Sequence, residues 1–242
     1  MIEYGYKIFL KGENMKERLT YLRWFDIVIV SVILFGSAIY DSTITFITTD
    51  PEVLALGTEF TTADNIYAIF TEIFELTFAF IYLRLRRFDF SRWKYKVTVK
   101  GTLTAVVLFL VISVIMDVAD ILVYGFADVT AYVGEGGIFY VLSEIDISLI
   151  VFSLLNGFYE EIFFIGIATA VKKEHQIPAL IYSLIIRTSF HTYQGIVSAL
   201  EIGLCVGLVF YFYYRKKDDN LYPVMTSHAL ADIFGAGIIS LL

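Results

Sequence analysis

Runs of about twenty apolar residues recur along this chain, and they leave few choices of fold. A helix rises about 1.5 Å per residue, so such a run crosses a hydrocarbon core about 30 Å thick. Six runs approach that length, at residues 24–40, 66–83, 102–126, 177–190, 196–214 and 221–242. The fourth is short and is expected to extend into its neighbours. A longer run, 138–171, exceeds what one helix needs, so a kink, a break or an extra interfacial helix is expected near Asn156 and Gly157. Of the 242 residues 58% are hydrophobic and only 18% charged, which excludes an ordinary water-soluble domain. The expected fold is therefore all-α, a polytopic transmembrane helical bundle of about seven spans.

Neither an internal repeat nor a low-complexity tract divides residues 1–242, which read as one integral membrane domain. The one cysteine, Cys205, rules out an internal disulfide and a Cys-rich zinc site. Residues 1–23 carry no signal-peptide pattern, so the first apolar run is expected to be retained as a helix.

Positive charge sets the expected topology. Of 18 Lys and Arg, five precede residue 24, seven lie in 84–100, two are Lys172 and Lys173, and three occupy 215–217; Arg187 alone remains. Segments 41–65 and 127–137 have none. Basic and non-basic loops thus alternate, which places the N-terminus in the cytoplasm and the C-terminus outside. Between apolar spans, the basic stretch 84–100 reads as a loop facing anionic lipid, with no nucleic acid as partner.

Ionisable residues inside spans are costly and usually face a cavity or a partner. Glu72 and Glu75, Asp117 and Asp120, Glu144, Asp146 and Glu201 have no histidine nearby in sequence, and read as structural carboxylates. Three later sites differ. Glu160 and Glu161 are adjacent in an apolar run, Arg187 and His191 are four apart, and so are His228 and Asp232. Four apart means one helical face. Three helices can thus turn polar faces to one cavity, as a buried reaction centre requires. His175, beside Lys172, Lys173 and Glu174, belongs to a presumed cytoplasmic turn. Tyr193, Gln194 and Gly195 read either as a turn or as substrate contacts.

In this order the three motifs resemble the CAAX-protease and bacteriocin-processing family of intramembrane endopeptidases. The resemblance covers about residues 150–242. The family pattern is a glutamate pair followed by Arg, then a helix ending in His, then His-x-x-x-Asn or Asp. Two departures stand out: Ile165 occupies the place of the family's Arg, and Arg187 that of an aromatic residue. Either the cation has moved one helix along and pairs with Glu161, or the motif has decayed and the chain is not catalytic.

The resemblance implies peptide-bond hydrolysis in a peptide or membrane-protein substrate. Glu160 would be the general base and Glu161 would orient its neighbour or the cation. His191 and His228 would hold the water or the oxyanion, with Asp232 orienting His228 or sharing the water. No cofactor is certain. A zinc ion on His191, His228 and Glu160 is an open alternative to a metal-free glutamate–histidine site. The compact size suggests a multi-pass protein of the bacterial plasma membrane, with bacteriocin processing or self-immunity as roles. The competing readings are an inactive immunity or binding protein on the same scaffold, and a cation-coupled transporter using the early carboxylates.

Overall fold

The computed structural model describes residues 18–50, 53–54, 60–131, 137–216 and 219–242. The expectation about residues 1–23 falls largely outside them. The described chain is helical, and the helices begin where the sequence supplies caps. α1 (Trp24–Thr48) opens with the Asp26 carboxylate accepting the Arg23 N–H at 2.9 Å. α2 (Thr62–Leu85) opens on a reciprocal Thr61–Asp64 capping box. α3 (Val99–Tyr124) starts from Thr98, whose hydroxyl accepts from Gly101 N, and stops at Gly125, whose φ of 89° a glycine adopts without strain. After the short helices α4 (Phe126–Ala131) and α5 (Gly137–Glu144), Asp146 caps α6 (Ile147–Ile167) by accepting from Leu149 N at 2.8 Å. There follow α7 (Gln176–Phe190), α8 (Ile196–Lys216) and α9 (Tyr222–Phe234).

Five of these helices, α1, α2, α3, α6 and α8, are long and apolar enough to cross a membrane. The other two of the expected seven, α7 and α9, are shorter. α7 has 15 residues and α9 has 13, so they are about 22 Å and 20 Å long, short of the hydrocarbon thickness. Both carry site residues. The long run 138–171 also breaks elsewhere than expected. α6 passes through Asn156 and Gly157 unbroken. The interruption is at Ile145–Asp146, and the last six residues, Ile162–Ile167, wind as π-helix. Gly157 instead permits close contact with α9: a Cβ there would strike the Met225 carbonyl and come within 3.1 Å of Ala229 N.

The molecule is apolar on the outside. Leu122, Ile147 and Val99 are about 80% exposed, as lipid-facing residues are (81%, 80% and 79%). α6 is the central element, with 61% of its apolar window buried against 22% for α2. It packs between α9 and α2; α9 also lies on α3, and α1 lies on α7 and α2. At the centre, the Phe35 ring meets Tyr159, Phe163, Phe164 and Phe190 at 5.0–5.3 Å.

The two ends of the bundle differ. At one end the segments that carry the basic residues meet. Leu19 bridges to Phe88, Leu22 N donates to Ala170 O, Trp93 Nε1 donates to Gly166 O, and Leu221 N donates to Lys94 O. Asp26, fully buried, joins α1 to α2 there through Arg86 (2.6 Å) and Tyr82 (2.7 Å). At the other end Thr62 donates to Asp146, and Ser42 bonds Thr192 and accepts from Tyr193 N.

Candidate active site

α6 presents Asn156 and Glu160 on one face, four residues apart, and Glu161 about 100° round the helix. Glu161 has no exposed surface. An isolated carboxylate there would be prohibitively costly, and two helices supply its partners. Its Oε1 accepts from Arg187 Nη2 of α7 at 2.7 Å and from His228 Nδ1 of α9 at 2.7 Å. One carboxylate oxygen therefore ties three helices together. The Arg187 guanidinium also lies over the Phe164 ring at 4.2 Å, which gives the buried cation an aromatic face as well as an anion.

With Nδ1 donating to Glu161, the other His228 nitrogen is aimed. Nε2 faces Glu160 Oε1 at 3.7 Å and Asp232 Oδ1 at 3.6 Å. These gaps are too long for direct hydrogen bonds and suit a shared bridging atom. Asp232 is steadied from α6, where Asn156 Nδ2 donates to its Oδ2 at 3.0 Å. Three atoms of the group, Glu160 Oε2, Glu161 Oε2 and Arg187 Nη1, are buried without a hydrogen-bond partner among the described residues. Such atoms are expensive in a protein interior unless a reactant or water uses them.

His191 lies at the end of α7, buried, with its ring 4.1 Å from that of Phe190. Its Nδ1 is 2.8 Å from the Arg187 carbonyl. A carbonyl can only accept, so Nδ1 carries the proton and Nε2 of a neutral ring is an acceptor. This bond satisfies one of the carbonyls that a helix leaves open at its C-terminus. His191 therefore has a capping task of its own. Thr192–Gln194 form a 3-10 turn, and Gly195, at φ 90°, leads into α8, which favours the turn reading of that segment.

The donor atoms of Glu160, Glu161 and His228 lie within 4.8 Å of one another. The metal-capable group thus contains Glu161, where the sequence suggested His191. With Glu161 holding His228 Nδ1, a metal on Nε2 would have the carboxylate–histidine support seen in zinc sites. Glu160 and Asp232 face the same nitrogen, so the residues fit a zinc ion.

Sequence reasoning missed two residues of this neighbourhood. Asn156 was read as a kink position, yet it holds Asp232. Glu72 reads from sequence as a structural carboxylate, yet it is buried and within electrostatic reach of Glu160, Asp232 and His228. Its mid-span position was the available signal. The structural reading holds for others. Glu75 accepts from Ser37 and Tyr159, Asp117 accepts from the amides of Ile238 and Ile239, and His175 is exposed in its turn.

Residues 143–234 match the model of a protein family described as type II CAAX prenyl endopeptidase, Rce1-like. This is the CAAX-protease and bacteriocin-processing family that the three motifs resemble, and all six candidate residues lie within the matched segment. No curated protein and no solved structure matches the chain.

Proposed function

From a multi-pass membrane chain whose residues 143–234 carry the Rce1-like CAAX endopeptidase pattern, we propose an intramembrane endopeptidase that hydrolyses a peptide or membrane-protein substrate with Glu160 as general base. The observation that carries the reading is the double hold on Glu161 Oε1 by Arg187 and His228, which turns His228 Nε2 toward Glu160 and Asp232.

In this reading a water sits among Glu160, His228 Nε2 and Asp232. Glu160 takes one of its protons as the water oxygen bonds to the scissile carbonyl carbon, and the carbonyl π pair moves onto oxygen. Arg187 Nη1, a buried donor without a hydrogen-bond partner among the described residues, stabilises that oxyanion. His191 Nε2 is an acceptor in this tautomer and so serves to orient the water. Collapse of the tetrahedral intermediate breaks the C–N bond, and Glu160 returns the proton to the leaving nitrogen. Were zinc bound, Glu160 and His228 Nε2 would hold it with Asp232 facing the same nitrogen, Glu161 would support His228 through Nδ1, and the ion would supply Lewis-acid polarisation at this position.

A second reading, a non-catalytic immunity or binding protein, draws on Ile165, which fills the family's Arg position and is packed into the core. Arg187 weakens that reading, because it supplies the guanidinium from the neighbouring helix. Glu160→Gln separates the two. A protease should lose about 10²- to 10⁴-fold in cleavage rate, while a binder keeps its function. The assay is cleavage of a membrane peptide by purified protein in nanodiscs, before and after chelation. Undiminished cleavage by Glu160→Gln removes the proposed base. Bacteriocin maturation and self-immunity in a bacterial plasma membrane are the physiological roles proposed for it.

A further inference from the structure

α2 and α6 run side by side in the same direction, and three contacts fix their register. Thr62 bonds Asp146, Asn65 bonds Ser148, and Glu75 bonds Tyr159, at offsets of 84, 83 and 84 positions. The same offset sets Glu72 level with Asn156. That is the residue that holds Asp232, one turn from Glu160 on the same face of α6.

Glu72 is 7% exposed, and its Oε2 is buried without a hydrogen-bond partner among the described residues. It lies within electrostatic reach of Glu160, Asp232 and His228. The contrast with Glu75, one turn further along α2, is informative. Both oxygens of Glu75 are engaged, by Ser37 at 2.9 Å and Tyr159 at 2.6 Å. Glu75 is a packing contact, whereas Glu72 keeps an unengaged acceptor, among the described residues, within electrostatic reach of the reaction centre.

Around that centre carboxyl groups outnumber cations. Among the described residues the four carboxyls Glu72, Glu160, Glu161 and Asp232 share two groups able to carry positive charge: Arg187, paired with Glu161 and within electrostatic reach of Glu160 and Asp232, and His228, at 3.6–3.7 Å from Glu160 and Asp232. Carboxyls gathered inside a span call for a cation. An ammonium or guanidinium arriving on the substrate satisfies both requirements, since it brings several N–H donors and positive charge together.

We propose that Glu72, beside Asp232, forms a subsite that takes a basic side chain, Lys or Arg, of the substrate next to the scissile bond. This rests on the endopeptidase reading, and it adds a substrate class and a specificity residue to it. It gives α2, which lies outside the segment matched by the family, a direct part in substrate selection.

The test uses quenched-fluorescence peptides of one apolar sequence, each with Lys or norleucine at a single position within four residues of the scissile bond. The full chain in nanodiscs is assayed for both cleavage and binding. The expected result is a preference of about tenfold or more for Lys at one position, seen in KM and in Kd. The preference should fall to about one in Glu72→Gln and return in part in Glu72→Asp. Equal binding and cleavage of the Lys and norleucine peptides by the unmodified protein overturns the subsite and leaves the protease intact. Preferential binding without cleavage supports the subsite and removes the protease reading. If micromolar zinc abolishes the Lys preference while restoring or raising activity, these acids hold a metal and the subsite is overturned.

Discussion

A single oxygen atom, Oε1 of Glu161, receives both Arg187 and His228, and much of the site's geometry follows from it. Remove the guanidinium and a buried carboxylate keeps only an imidazole. Breaking a buried pair by deleting one partner costs about 3–5 kcal/mol, because the charge left behind stays out of water. Arg187→Leu should therefore unfold more readily by about that amount and lose cleavage. Ile165→Arg, which restores a guanidinium at the position where the resembling family carries it, should recover part of both. Denaturation in mixed micelles and a cleavage assay read the two effects. Full activity in Arg187→Leu alone would remove Arg187 from the site. The pairing of Arg187 with Glu161 was one of two alternatives open in the sequence, where Ile165 stands in place of the resembling family's Arg and Arg187 lies in the next apolar run. The separate task of His191 was not legible there. Its bond to the Arg187 carbonyl exists only because α7 stops at Phe190, whereas the short run 177–190 is expected from sequence to extend into its neighbours.

At the scale of elements, the register between α2 and α6 depends on Asp146 as much as on packing. Its carboxylate accepts from Thr62 of α2, from Leu149 N and from Ser148, and these bonds, that from Thr62 first, hold it down to about 2 from its ordinary 3.8. A lowered value in the folded chain means that the carboxylate stabilises the fold above about pH 4. That contribution is lost as the pH falls toward about 2. Asp146→Ala should lower stability at neutral pH, and the gap from the unmodified protein should close between about pH 4 and pH 2. Thermal unfolding followed by circular dichroism across that range measures it, and a constant gap down to pH 2 would show that the carboxylate charge contributes nothing. The helices themselves were readable from apolar length, and Asp146 was visible as an acid early in the long run. It starts α6 through its local bond to Leu149 N, and its other oxygen ties that start to Thr62 of another helix. Sequence carries no trace of that partnership. The same missing knowledge hid Glu72, whose depth beside α6 becomes visible only once the offset between the two helices is known.

The whole molecule is polarised along its long axis, and this decides which way the site faces. The segments holding Arg18, Arg86, Arg92, Lys94, Lys172 and Lys173 gather at one end through the Leu19–Phe88, Leu22–Ala170 and Lys94–Leu221 contacts. The segments around Ser42, Thr62, Asp146 and Thr192 gather at the other. Charge alternation in the sequence and contact between the loops are independent observations, and they sort the chain into the same two ends. Lys and Arg are retained on the cytoplasmic side during insertion, so the basic end should face the cytoplasm. His228 lies six residues from the start of α9 at that end, about 9 Å along the helix, so the reaction centre should sit in the cytoplasmic half of the bilayer. The orientation can be read with single cysteines in a Cys205→Ser background. Lys94→Cys and Lys173→Cys should react with a membrane-impermeant maleimide only after the cells are opened. Thr48→Cys and Asp128→Cys should react in intact cells. The reverse pattern would turn the molecule over and place the glutamate pair in the outer half, where a cytoplasmic peptide could not reach it.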